Sequence, residues 1–153
     1  MAEAAKDFCR IIEHVLSGED RRWIVDMAAV LSRINSTMIV LAVPPFGLSC
    51  CDFPNLDEKF DVFCRLKRRF GEHDAYRMKD DSGDDEDEMT GSLAGDLTEI
   101  YFELRRGLNR LEAETASQDD VLKVWQRGYA LHWGERLVDA QRHLLELREA
   151  GDR

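Results

Sequence analysis

The stretch DDVLKVWQRGYALHWGERLVDAQRHLLELREA, residues 119–150, is the part of the chain that decides the fold. Apolar side chains recur in it at alternating steps of three and four residues, the spacing that keeps side chains on one face of an α-helix. The apolar positions are Leu122, Trp125, Tyr129, Trp133, Leu137, Ala140, Leu144 and Leu147. The stretch therefore predicts one long C-terminal helix that buries an apolar seam.

The same periodicity predicts four further helices upstream of this one. Their expected bounds are about 3–16, 20–42, 56–70 and, after an N-cap at Ser92, 93–111. In the last of these four helices, the expected buried stripe is Leu93, Leu97, Ile100, Tyr101, Leu104, Leu108 and Leu111. In the third helix we expect one side to carry Phe60, Phe63, Cys64, Lys67 and Phe70. The β-branched run from Met38 to Val43 is also compatible with a buried strand, but no partner strand is apparent in the sequence. The pattern indicates an all-α, up-and-down bundle of about five helices.

Two segments interrupt the helical pattern. Prolines 44, 45 and 54 predict a loop that runs to Asn55, because proline lacks the backbone donor that a helix needs. Seven of the nine residues from Asp80 to Glu88 are acidic, with too few apolar groups to form a core. The sequence therefore predicts a single domain over residues 1–153 with a mobile acidic loop at 74–91.

Composition and charge exclude several classes of protein. The formal net charge is −10, which argues against a nucleic-acid binder. The N-terminus lacks the pattern of a secretory signal, and the longest apolar run, 38–45, is too short to span a membrane. The four cysteines form no CxxC pair, which favours reduced thiols in a cytoplasmic protein. A zinc site built from Cys50 or Cys51 with Cys64 and a histidine is a minor alternative.

Polar residues beside the apolar seam are the candidate site. His132, Asp139 and His143 lie within roughly 40° of one another on a helical wheel. The preceding helix carries Asp96, Glu99 and Glu103 on one side, which could meet this edge. Imidazole and carboxylate groups suit zinc, iron or manganese, although the Glu-x-x-His pairs of carboxylate-bridged centres are missing. The metal or acid–base candidates are therefore His132, Asp139, His143, Glu99 and Glu103, and a solvated polar face with hydrogen-bonded histidines explains them equally well.

The same edge can instead contact another protein. Its candidate interaction residues are Arg127, Glu135, Arg136, Asp139 and His143. Two glycines interrupt this helix, Gly128 and Gly134, and either a close approach by another helix or a bend would account for them.

The segments SLAGDLTEIYFELRRGLNRL (92–111) and VWQRGYALHWGERLVDAQRHLLEL (124–147) resemble an uncharacterised family of small bacterial helical proteins, the domain of unknown function 5063. The likeness extends upstream through the Phe70-Gly71 turn and Tyr76 to the helix that ends in Leu41-Ala-Val-Pro. This chain departs from the commoner pattern at Gly95 and in its long acidic run. The resemblance implies an all-helical cytosolic protein, with no reaction, cofactor or substrate attached.

These observations favour a small helical protein-interaction or adaptor module that engages another protein through the edge from Arg127 to His143 or through the acidic loop. We expect no cofactor, no nucleic acid, no membrane partner, and a monomer or weak homodimer. The competing hypothesis is a metal-dependent or acid–base enzyme that uses the His/Asp/Glu cluster of the last two helices. A third is a small-ligand carrier, which would require a cavity beside Trp125 and Tyr129.

Overall fold

The computed structural model describes residues 1–18, 22–41, 54–78 and 89–151. Within these ranges the chain forms α1 (Ala2–Ser17), α2 (Trp23–Ile39), α3 (Leu56–Phe70), β1 (Ala75–Arg77), β2 (Thr90–Ser92), α4 (Leu93–Glu112), α5 (Gln118–Gly128) and α6 (Gly134–Gly151). A π-helical turn, Tyr129–Trp133, joins α5 and α6 into one continuous helical segment. The predicted all-α bundle of five helices is confirmed. In the described part of the chain, no helix has the length and apolar character needed to cross a membrane.

Helix α4 lies at the centre of the bundle and packs against α1, α3, α5 and α6. Helix α2 closes the opposite side by packing against α1 and α6. The apolar seams predicted for the last two helical segments form much of the core. Fully or nearly fully buried members are Leu93, Leu97, Ile100, Leu104, Leu108, Trp125, Trp133, Leu137, Ala140 and Leu144. Periodic spacing therefore identified the buried faces of α4, α5 and α6 correctly.

The long C-terminal helix is not a uniform α-helix, and the π-helical turn explains its two glycines. A π turn holds one more residue than an α turn, so Trp125 and Trp133, eight residues apart, both face the core. A Cβ on Gly134 would overlap the carbonyl oxygen of Tyr129, within this same turn. Of the two explanations considered for the glycines, close approach by another helix therefore does not apply at Gly134, whose nearest neighbour is Tyr129 of its own helical segment. At Gly128, a Cβ would lie 2.7 Å from the Trp133 indole and 3.3 Å from Glu103 of α4, so a close approach applies there.

The predicted acidic loop at 74–91 includes β1 and the start of β2, two strands that the sequence pattern did not predict. Strands β1 and β2 pair antiparallel, with Ala75 opposite Ser92, Tyr76 opposite Gly91 and Arg77 opposite Thr90. The loop was predicted from the acidic residues in the middle of the segment. The residues at its two ends are the ones that form the hairpin. The core of the acidic run, residues 79–88, lies outside the described residues.

Helix α3 buries a different face from the predicted one. Its core side chains are Val62, Leu66 and Phe70, while Phe60 is 66% exposed. Helix α2 ends at Ile39, slightly earlier than expected. The predicted proline loop falls mostly on residues 42–53, which lie outside the described residues. The side of α3 that carries Phe60 therefore faces away from the core, beside the start of α4.

Candidate functional site

A cleft of about 670 Å³ opens between the β-hairpin, the first half of α4 and the start of α6. We refer to it as the α4–α6 cleft. Its lining side chains include Tyr76, Met78, Met89, Asp96, Glu99, Glu103, Leu131, His132, Trp133, Glu135, Arg136 and Asp139. Five of these carry carboxylates and one carries a guanidinium, so the lining is predominantly acidic. A volume of this size is within the range of small-molecule and side-chain binding sites.

The hairpin is fixed to the start of α4 by a buried carboxylate, Asp74. This carboxylate accepts hydrogen bonds from the Ser92 hydroxyl at 2.9 Å and from the Ala94 N–H at 2.7 Å. The Ser92 oxygen in turn accepts from the Gly95 N–H at 3.1 Å, as an N-cap residue does. One wall of the cleft is therefore held rigidly to the helix that forms its floor.

Tyr76, Asp96 and Arg136 form a hydrogen-bonded network in the wall of the cleft. The Tyr76 hydroxyl donates to one oxygen of Asp96, and the Arg136 guanidinium lies 3.3 Å from the other oxygen. The Tyr76 ring lies across Gly91, where a Cβ would overlap it. Asp96 is only 4% exposed, so this carboxylate depends on its two protein partners for hydrogen bonds.

Burial changes the acidity of both groups in this network. Burial raises the pKa of Asp96 to about 6, against the hydrogen bond from Tyr76 and the charge of Arg136, which lower it. Burial also raises the pKa of Tyr76, and the adjoining Asp96 carboxylate adds to this effect. The wall of the cleft therefore contains a carboxyl group whose pKa is raised towards neutrality and whose two oxygens are hydrogen-bonded to Tyr76 and Arg136.

Four of the five residues predicted as metal or acid–base candidates line the α4–α6 cleft: Glu99, Glu103, His132 and Asp139. Three of them have cationic partners at its edge. Lys59 lies 2.8 Å from Glu99, Arg106 lies 2.9 Å from Glu103, and Arg142 lies 3.5 Å from Asp139. Across the described ranges, no group of three or more His, Cys, Asp or Glu side chains is arranged to hold a metal ion.

His143, the fifth candidate, is not part of the cleft lining. It is 7% exposed, and its Nε2 lies 2.6 Å from the carbonyl oxygen of His73, which assigns the Nε2–H tautomer as donor. Its ring packs against Tyr76 with centroids 5.0 Å apart. His143 therefore fastens α6 to the turn that precedes β1.

Neither of the two cysteines in the described ranges lines the cleft. Cys9 is buried in the core, and burial raises the pKa of its thiol to about 12. Cys64 is half-buried on α3. Cys50 and Cys51, the other members of the minor zinc alternative, lie outside the described residues.

Three of the five predicted interaction residues also line the cleft: Glu135, Arg136 and Asp139. Arg127 and His143 lie outside its lining. A shallower cavity of about 540 Å³ adjoins the cleft across Glu135 and Asp139 and includes Tyr129. Trp125, the other aromatic of the predicted carrier cavity, is buried, and its indole N–H donates to the carbonyl of Glu103 at 3.1 Å.

Sequence reasoning missed Tyr76 as a site residue. Tyr76 stands in a three-residue strand, which is too short for a periodic pattern to identify its buried side. The signal present in the sequence is its position between Asp74 and the acidic run, opposite a Gly-Ser pair that precedes α4. This position identifies Tyr76 as a site residue only when the pairing of β1 with β2 is known.

The comparisons with known proteins concern the fold and the family. The crystal structure of protein BF1032 from Bacteroides fragilis is similar, with a TM-score of 0.74 and 18% identity, covering 95% of this chain and 88% of that one. At this identity the likeness shows the fold alone. No curated protein is detectably similar in sequence. A model of the domain of unknown function DUF5063 matches residues 1–150, and the chain therefore belongs to this family.

Proposed function

We propose that the protein is an interaction module whose α4–α6 cleft binds a basic segment of another protein. One observation carries the proposal. The polar edge of α6 and both ends of the acidic segment, Met78 and Met89, line the same cleft. The polar edge of α6 and the two described ends of the acidic segment therefore meet at one surface.

The charges of this surface favour a cationic partner. Five carboxylates line it: Glu135 and Asp139 from α6, and Asp96, Glu99 and Glu103 from α4. Four of them pair with Arg136, Lys59, Arg106 and Arg142, so these nine groups carry a surplus of one negative charge. Seven more acidic residues lie between positions 80 and 88, in the chain that joins Met78 to Met89. Electrostatic complementarity of this kind accelerates encounter with a basic partner and selects against acidic ones.

The cleft also has apolar surface that the aliphatic stem of a lysine or arginine can cover. Leu131, Met78 and Met89 line it beside the carboxylates and are 60%, 37% and 62% exposed. Long basic side chains bury their stems against such surface while their charged ends meet acidic groups.

The test uses a fluorescently labelled lysine-rich peptide, with binding followed by fluorescence anisotropy. The cleft variant Glu135→Gln/Asp139→Asn removes two carboxylates from the lining. We expect it to weaken binding about tenfold, which corresponds to about 1.4 kcal/mol. The control variant Glu3→Gln/Glu149→Gln removes the same charge from exposed positions on α1 and α6.

Comparing the two variants distinguishes binding of the peptide in the cleft from nonspecific attraction of a basic peptide to an acidic protein. The proposal requires the cleft variant to lose affinity while the control keeps most of it. Equal losses in both variants would mean that net charge alone attracts the peptide. Absence of wild-type binding at low ionic strength, where exposed charges are screened least, would reject the proposal.

A further inference from the structure

A smaller cavity of about 380 Å³ lies on α3 and adjoins the α4–α6 cleft. We refer to it as the α3 notch. Three apolar side chains of α3 line it: Leu56, Phe60 and Phe63. It is therefore a mainly apolar site beside an acidic one.

Two of the three apolar side chains of the α3 notch, Leu56 and Phe60, contribute little to the core of the bundle, whereas Phe63 packs against it. Leu56 is 74% exposed and Phe60 is 66% exposed, and residues four apart lie on one side of a helix. Phe63 is half-buried, with its ring 6.4 Å from that of Phe60. Single exposed apolar residues are common on proteins, but a set of them that lines a concave surface is typical of a contact site.

The notch is continuous with the cleft, because Gly95, Glu99 and Arg136 line both cavities. The Lys59 ammonium is 2.8 Å from Glu99 at this boundary. Gly95 has no side chain to divide the two cavities, and even a Cβ there would meet only ordinary contacts at 3.5 Å or more. An extended segment that leaves the acidic cleft past Gly95 therefore meets the apolar wall of the notch next.

We propose that the α3 notch receives an apolar side chain of the same partner segment whose basic side chain enters the α4–α6 cleft. This inference rests on the proposed function and adds a requirement to it: the partner segment carries a basic and an apolar residue close together. The exposed phenyl ring of Phe60 and the side chain of Leu56 match a leucine, methionine or aromatic residue. Burial of one such side chain contributes enough for about a tenfold gain in affinity.

Two peptides of equal length and charge test the proposal by fluorescence anisotropy. Both carry lysines for the cleft; one carries leucine and the other serine, at each of several spacings from the lysine. The protein variants are Phe60→Asn, in the notch, and Ile39→Asn, at a position on α2 that is 68% exposed. Both substitutions are at exposed sites, so both proteins are expected to fold.

At the best spacing, we expect the leucine peptide to bind wild-type protein about tenfold more tightly than the serine peptide. Phe60→Asn should remove this difference and leave serine-peptide affinity unchanged, while Ile39→Asn should keep the difference. The notch proposal is overturned if the leucine peptide binds no more tightly than the serine peptide at any spacing. It is also overturned if the leucine peptide keeps its higher affinity for Phe60→Asn.

Failure of the proposed function has a different signature. If the serine peptide binds and responds to Glu135→Gln/Asp139→Asn without a leucine advantage, the cleft stands and the notch is rejected. If the leucine peptide depends on Phe60 while neither peptide responds to the cleft variant, both the cleft and a joint segment are rejected. If neither peptide binds, both proposals fail.

Discussion

The buried carboxylate of Asp96 should make the stability of the protein depend on pH in a characteristic way. Its pKa is raised from 3.8 to about 6 in the folded chain, so the folded state binds this proton more tightly than the unfolded state. The stabilising contribution is therefore complete below about pH 3.8 and is lost as pH rises through about 6. The shift of about two units corresponds to about 3 kcal/mol of unfolding free energy.

The assay is urea denaturation from about pH 4 to about pH 8, followed by tryptophan fluorescence, with wild type and Asp96→Asn compared at each pH. The other titrating groups are present in both proteins, so the difference between the two free energies isolates Asp96. Relative to Asp96→Asn, wild type should lose about 2.5 kcal/mol over this range, because the rest of the full contribution develops only below about pH 4. A difference that stays constant with pH, or one that rises, would refute the reasoning.

Tyr76→Phe provides a second check on the same network. The hydrogen bond from the Tyr76 hydroxyl lowers the pKa of Asp96, because it stabilises the ionised carboxylate. Loss of that hydroxyl should therefore move the pH-dependent loss of stability to higher pH. A shift to lower pH would mean that the carboxylate does not rely on this bond.

Two sets of glycine substitutions test the close contacts. Gly107→Ala places a Cβ 2.5 Å from the Trp125 indole, which a hydrogen bond to α4 holds in place, and should lower stability by about 2 kcal/mol. Gly95→Ala, whose Cβ meets only contacts of 3.5 Å or more, should leave thermal stability unchanged or slightly raised; equal losses in both variants would contradict the packing. Gly91→Ala forces the Tyr76 ring out of place, so hydrogen exchange should accelerate in the hairpin while α4 amides stay protected. Unchanged exchange in the hairpin would show that the ring is accommodated elsewhere.

The helices were predictable because burying one face of a helix requires apolar residues every three or four positions, a pattern that the sequence of each helix shows on its own. In α4, the predicted stripe from Leu93 to Leu108 is the buried face, since this central helix is surrounded and its apolar arc leaves no ambiguity. Helix α3 has two apolar arcs about 100° apart that overlap at Phe70. The aromatic arc containing Phe60 was predicted to face the core. Packing against α1 and α4 instead buries the arc of Val62 and Leu66.

The hairpin was not predictable because its stability does not come from its own sequence period. Each strand has three residues, and the contacts that fix them are distant in sequence. Asp74 binds the first residues of α4, and the Tyr76 hydroxyl binds Asp96. Such contacts exist only after the bundle has formed, so local propensity gives no indication of them.

Only part of the lining of the candidate site was predicted, because a helical wheel gives the correct side-chain directions only where the helix is regular. Glu99 and Glu103 stand in the regular helix α4, and both line the cleft. His132 stands within the π-helical turn, where a regular helical wheel does not apply, whereas Asp139 and His143 follow it in α6. His132 and Asp139 line the cleft, while His143, four residues beyond Asp139, is buried against the hairpin. The extra residue of the same turn places Trp133 on the same face as Trp125, so its ring is buried in the core behind the acidic lining of the cleft.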